Sequence, residues 1–236
     1  MSGEEDRVVL ITGASQGIGA ALVDAYRGRG YAVVATSRSI EESADSLVAT
    51  LRGDVAAPAT AELAVATALE RFGRLDTLVN NAGLYSAKSF TDYTVEDFEA
   101  VTAVNLAGFF HMTSRAIAAM EGHDGHVVNI STTLAENANS EVPAALAALT
   151  KGGLVAATRS LAIEYAARGI RFNAVSLGVI KTATNPPESY AGLDRLHPLG
   201  RVGELSDVVD AILYLESAPF VTGEILHVDG GQSAGH

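Results

Sequence analysis

Cysteine is missing from the chain altogether. With it go a disulfide scaffold, a thiol nucleophile and every thiolate metal site. Positive charge is scarce: 16 Lys and Arg face 28 Asp and Glu, a formal net charge of −12. Such a surface repels phosphate polyanions, which argues against nucleic acid and anionic membranes as partners. Long apolar runs are missing too, since none approaches the ~18 residues a bilayer span needs. Met1–Arg7 is acidic and polar, unlike a secretory signal. A soluble cytoplasmic protein is expected. His111, His123, His126, His197, His227 and His236 show no metal-ligand spacing, so no metal is expected. Neither repeat, low-complexity tract nor linker divides the sequence. Its 236 residues, 48% of them hydrophobic, therefore read as one domain, 1–236, with ample core.

What is present is an alternation of two periodicities. Arg7–Thr12, Ala32–Thr36, Leu75–Asn80, His126–Ser131, Ile170–Val175 and Ile225–Val228 are short apolar runs, several of them continuous. Continuous rather than alternating hydrophobicity implies strands covered on both faces, as in a parallel sheet. Between them Ile18–Arg29, Glu62–Phe72, Val95–Met120, Pro143–Arg168 and Leu205–Glu216 carry helical spacing. This β-α succession predicts an α/β, doubly wound parallel sheet. From Thr36 to Thr50 there is too little chain for a full helix with loops, so a stub or irregular crossover is expected there. Thr182–Gly200 holds Pro186, Pro187 and Pro198 and reads as a long loop, the kind that covers a substrate.

The first strand runs into Thr12-Gly13-Ala14-Ser15-Gln16-Gly17-Ile18-Gly19 and then a helix. Three glycines allow a sharp turn and close approach of backbone to a pyrophosphate, which the helix N-terminus attracts. Spacing is Gly-x3-Gly-x-Gly, so the general dinucleotide pattern fits only loosely.

Thr12–Gly19, Asn80-Asn81-Ala82-Gly83, Val104-Asn105-Leu106, Asn129-Ile130-Ser131-Thr132, Lys151-Gly152-Gly153 and the tail Val221–Gly231 follow one another along the chain. Their order and separations resemble the short-chain dehydrogenase/reductase family over essentially its whole length. The resemblance implies a single Rossmann-type domain of about seven strands with helices on both faces and a substrate lid at about 182–200. It implies a pyrophosphate turn at Gly13, Ser15, Gln16, Gly17, Ile18 and Gly19, and an adenine site at Asp54 and Val55. Asn81, Ala82 and Gly83 would line the ribose, and Gly178, Ile180 and Thr182 would add cofactor contacts. A homodimer or homotetramer, or a hetero-oligomer with an active relative, is implied as well. The small-residue helix Pro143–Arg168 forms the dimer contact in relatives.

Cofactor choice turns on the end of the second strand. Thr36-Ser37-Arg38-Ser39 offers hydroxyls and a guanidinium, and no acid follows until Glu41. An acid there would accept from a ribose 2′-hydroxyl, whereas Arg suits a 2′-phosphate. NADP is favoured over NAD. Gln16 counts slightly the other way, because NADP-using relatives often carry a basic residue there.

Relatives use Tyr, Lys, Ser and Asn, with Tyr and Lys one helical turn apart. Lys151 and Asn105 are in place, and Thr132 takes the Ser position, with Ser131 or Thr133 possible if the loop is shifted. Four residues before Lys151, however, stands Ala147. The loop between Thr132 and Ala147 is longer than expected, and Ser176-Leu177-Gly178 replaces the usual Pro-Gly. Tyr85, Tyr93 and Tyr190 are alternative phenols, Tyr190 in the lid first among them. Glu136 and Glu141 are alternative carboxylates better read as solvated. Three functions stay open: a reductase or alcohol dehydrogenase for a small-molecule carbonyl with a non-standard proton donor, an NADP-binding pseudoenzyme or partner subunit, and an enzyme repurposed for a non-redox step.

Overall fold

Seven strands lie side by side, all parallel, in the order β3-β2-β1-β4-β5-β6-β7. They are β1 (Val8–Thr12), β2 (Ala32–Ser37), β3 (Val48–Arg52), β4 (Thr77–Asn80), β5 (Gly125–Thr132), β6 (Ile170–Leu177) and β7 (Ile225–Val228). Among the described residues six α-helices connect and flank them: α1 (Gly17–Gly28), α2 (Pro58–Phe72), α3 (Val95–Thr102), α4 (Phe109–Met120), α5 (Ala145–Tyr165) and α6 (Leu205–Ser217). The computed structural model describes residues 7–182, 190 and 192–235. Part of the expected lid, 183–189 and 191, lies outside the described residues.

The apolar runs become strands because both of their faces are covered. Val8 and Leu10 point into a core shared with α2, α4 and α5, while Val9 and Ile11 point into one shared with α1 and α6. The same alternation sends Val34 and Val33, Leu78 and Val79, and Val127 and Val128 to opposite faces. A wholly buried side chain such as Leu10 or Phe172 contributes about 1.5–3 kcal/mol.

Local signals set several helix ends. Pro58 opens α2, and Gly73, at φ +83, closes it. Thr94 and Asp97 cap α3 reciprocally.

Two elements differ from the sequence reading. The crossover after β2 contains no helix, as the short connection implies, but it delivers an edge strand, β3, paired to β2 from Val48 to Arg52. Val95–Met120 is not one helix: a π-helical stretch, Ala103–Gly108, separates α3 from α4.

The strand order reverses between β1 and β4, β2 lying on one side of β1 and β4 on the other. A crevice opens outside the carboxyl ends at such a point. The candidate site lies there.

Candidate active site

The turn after β1 is built on glycine. Gly13 and Gly17 have φ of +66° and +56°, and a Cβ at Gly19 would lie 2.2 Å from the Gly13 carbonyl oxygen. Asn81 braces this turn from just beyond the end of β4: its Nδ2 donates to the carbonyls of Thr12 (2.8 Å) and Gly13 (3.1 Å). Thr12 returns the tie, its Oγ1 accepting from the Asn81 and Ala82 N–H groups at 3.0 Å. Asn81 is thus a brace of the turn as well as a wall of the crevice.

A cleft of about 350 Å³ runs over the turn, bounded by Gly13, Ser15, Gln16, Gly17 and Ile18. Ser37, Arg38, Ser39, Asp54 and Val55 line it as well, with Asn81, Ala82, Gly83 and Thr182. Thr182 sits over the turn, 3.5 Å from where a Gly17 side chain would begin. Ser37 Oγ accepts from Ser39 N–H at 3.2 Å, and one Asp54 oxygen accepts from Ala56 N–H at 3.0 Å. Arg38 is exposed and makes no hydrogen bond or ion pair among the described residues. Glycines that leave room for backbone approach, the first N–H groups of α1, and a free guanidinium beside serine hydroxyls form a donor set that fits a dinucleotide.

Beyond Gly83 the cleft meets the other candidates. Lys151, on α5, donates from Nζ to the Ile130 carbonyl at 2.8 Å, and its amine is 2.9 Å from where a Gly83 side chain would begin. Burial pulls that amine down to about 8. Asn105, in the π-helical stretch, is buried and committed. Its Oδ1 accepts from Leu84 N–H (2.8 Å), and its Nδ2 donates to the Leu84 carbonyl (3.0 Å) and to Thr150 Oγ1 (3.1 Å). Ala147 is 2% exposed and lies one turn before Lys151 on α5.

A second pocket, about 400 Å³, adjoins the carboxyl ends of β5 and β6. Thr132 lines it, its Oγ1 accepting only a long 3.4 Å bond from Leu134 N–H. Ser131 is instead buried and turned to the Lys151 carbonyl, and Thr133 is held by the Leu177 carbonyl and Gln232. Of the three hydroxyls assigned to the Ser position, Thr132 is the least tied. Gly178 and Ile180 form walls of this pocket rather than of the nucleotide cleft.

The phenols sort differently from the sequence reading, which put Tyr190 first. Tyr190 Oη accepts from Thr182 N–H (2.9 Å) and donates to the Thr182 carbonyl (3.2 Å). Tyr93 Oη donates to the Ser86 carbonyl at 2.7 Å. Glu136 pairs with His227 and Arg159, and Glu141 with Arg195.

Sequence reasoning missed the polar ladder beneath the site. Asn80 Nδ2 donates to Asn129 Oδ1 and Thr113 Oγ1, and Asn129 Nδ2 donates to Thr158 Oγ1, all at 2.9 Å. An Asn closing one apolar run, Asn80, and another inside a second run, Asn129, were the available signal. Among the described residues no group of three His, Asp or Glu side chains could hold a metal, and no helix is long and apolar enough to cross a membrane.

A seven-stranded parallel sheet with a glycine turn, the Asn-Asn-Ala-Gly bend and a lysine on α5 defines a nicotinamide-dependent oxidoreductase class. The sequence model of the enoyl-(acyl carrier protein) reductase family matches residues 13–233, and the chain belongs to this short-chain dehydrogenase/reductase family. It is 32% identical over 239 residues to 3-oxoacyl-[acyl-carrier-protein] reductase of Escherichia coli (strain K12), covering 96% of this chain and 97% of that one. The solved 3-ketoacyl-(acyl-carrier-protein) reductase from Brucella melitensis, complexed with NADH, superposes with a TM-score of 0.89 at 29% identity, covering 97% and 99%. ElxO with NADP bound gives 0.90 at 30%, covering 98% and 100%. This chain is accordingly of a family of NAD(P)-dependent oxidoreductases.

Proposed function

We propose that the protein is a reductase of a small-molecule carbonyl compound, or a dehydrogenase of the matching alcohol, that prefers NADP(H) and works without a phenol at position 147. The observation that carries this reading is the continuity of the site. Arg38 and Gly83 line the glycine-turn cleft, a Gly83 side chain would begin 2.9 Å from the Lys151 amine, and Leu84 of that cleft is followed in the chain by Tyr85 of the Thr132 pocket. A bound reduced nicotinamide supplies the hydride. The chain's own groups hold and polarise. Backbone N–H groups of α1 and Ser15 receive the pyrophosphate, and Arg38 with Ser37 and Ser39 receives a 2′-phosphate. The Lys151 amine beside Gly83 donates to ribose hydroxyls, while Thr132 Oγ donates to the substrate oxygen.

Calorimetric titration with NADPH and with NADH tests the cofactor half. Tight NADPH binding with weak NADH binding supports it, and binding of neither overturns it. Introducing the phenol by Ala147→Tyr tests the catalytic half, with turnover expected to rise. A buried Ala147 favours a second reading, a nucleotide-binding partner subunit of an active relative. Co-purification with such a subunit would support that reading.

A further inference from the structure

The walls of the second pocket are apolar over most of their extent: Leu134, Val142, Ile180, Leu193 and Leu196 contribute, with hydroxyl and amide groups from Thr132, Thr133 and Gln232. Among the described lining residues there is no Asp, Glu, Lys, Arg or His. A charged substrate would enter without a counter-ion on these walls and would bind more weakly. A neutral, largely apolar one would not.

One phenol on this wall is uncommitted. Tyr26 and Tyr31 are bonded to Glu216, Tyr93 to Ser86 and Tyr190 to Thr182. Tyr85 lines the pocket that Thr132 lines, is 58% exposed, and has no hydrogen-bond partner among the described residues. It is nonetheless positioned. The preceding residue, Leu84, has both its N–H and its carbonyl clamped by the buried Asn105. A fixed backbone carrying a free hydroxyl is what a proton donor requires.

Resting on the function proposed above, we infer that Tyr85 gives the proton that Ala147 cannot, and that the pocket takes a neutral, apolar ketone or aldehyde. As the carbonyl carbon gains its new C–H bond from the reduced nicotinamide, the C=O π pair moves onto oxygen. That oxygen takes the Tyr85 hydroxyl proton: the phenol O–H breaks, the alcohol O–H forms, and a proton from solvent returns the resulting phenolate to the phenol. Partial burial, and then Tyr93 nearby, raise the Tyr85 phenol above its ordinary 10.0. The group therefore carries its proton throughout the neutral range, which suits reduction better than oxidation.

The test separates binding from turnover. Protein carrying 13C at tyrosine Cζ is loaded with oxidised NADP, so that no reduction occurs, and titrated with acetophenone and with 4-acetylbenzoate. The signal absent from Tyr85→Phe identifies Tyr85. Acetophenone is expected to bind and move that signal, and 4-acetylbenzoate to bind at least tenfold more weakly. Acetophenone binding without movement overturns the donor role; binding of neither ketone, or preference for the carboxylate, overturns the pocket assignment. Failure of NADP itself to bind overturns instead the function on which the inference rests. With NADPH and acetophenone, Tyr85→Phe should lose ~10²–10⁴-fold in kcat at unchanged cofactor affinity. Ala147→Tyr should restore part of it. An unchanged kcat in Tyr85→Phe overturns the role.

Discussion

The two edges of the sheet treat polar groups in opposite ways. At the amino edge Glu216 is buried, yet its carboxylate accepts from His126 Nδ1 (2.8 Å), Tyr31 (2.9 Å), Thr77 (3.0 Å) and Tyr26 (3.3 Å). His126 is closed in turn. Asn173 donates to its Nε2 while giving its carbonyl to Glu224 N–H, which fixes a neutral imidazole with the proton on Nδ1. At the carboxyl edge, groups are left over. Thr36 and Ser176, each one residue from the end of its strand, have buried hydroxyls without a partner among the described residues. Arg38 and Tyr85 stand free there as well. A cavity of about 840 Å³ opens at the amino edge and includes Glu216 and His126. It is the smaller carboxyl-edge clefts that hold spare donors. Saturated polar groups mark a structural joint, and unsaturated ones mark a place reserved for a ligand.

That contrast can be broken from either side. The harshest change is Gly19→Val, which drives a side chain into the Gly13 carbonyl; nucleotide binding measured by calorimetry should vanish. Next, Glu216→Ala strands several buried donors and should cost about 3–5 kcal/mol in urea unfolding.

Acid sharpens the same point. Burial alone would raise the Glu216 carboxyl, but hydrogen bonds from His126, Tyr31 and Thr77 outweigh it and hold the group below its ordinary 4.5. A lowered carboxyl stabilises fully above 4.5 and loses that contribution as pH falls through its folded-state value. Glu216→Gln should flatten that limb of the stability curve.

Lys151→Met acts on the reserved edge with opposite effects. It relieves a buried ammonium, lowered from 10.5 to about 8, and should raise stability at neutral pH by up to roughly 2–3 kcal/mol. That gain should fade as pH rises from about 8 to 10.5, where the wild-type amine loses its charge in both states. NADPH affinity should fall ~10–100-fold for want of a charged donor. Arg38→Ala should lower NADPH affinity ~10-fold or more, leave NADH affinity alone, and leave stability within ~0.5 kcal/mol. Smallest of all, Glu141→Ala removes an exposed pair with Arg195 and should shift stability by less than ~1 kcal/mol.

Much of the architecture could be read from the chain because paired faces leave a local trace. A run such as Val8–Thr12 announces cover on both sides, and the glycine turn announces a close approach. β3 escaped because an edge strand ending in the exposed Arg52 is only partly buried and draws its order from β2. The π-helical stretch escaped because apolar spacing passes through it unbroken, while Asn105 is anchored to Leu84, distant in sequence. The ranking of the tyrosines could not be read at all. Whether a phenol is free depends on backbone partners such as Ser86 and Thr182, which composition and spacing do not reveal. The Glu216 cluster was hidden for the same reason, since its donors come from α1, the turn that follows it, β4 and β5.

The connection between β2 and β3 has a bearing on how this protein can change over generations. It carries Arg38 and Ser39 without any helix, and among residues 38–46 only Ile40 is buried. The stretch that brings Arg38 and Ser39 to the cleft therefore has almost no duties in the core. Mutations there can accumulate at little cost to folding. On the cofactor reading proposed above, lineages descended from such a chain are free to trade one dinucleotide for the other long before they alter the sheet behind the loop.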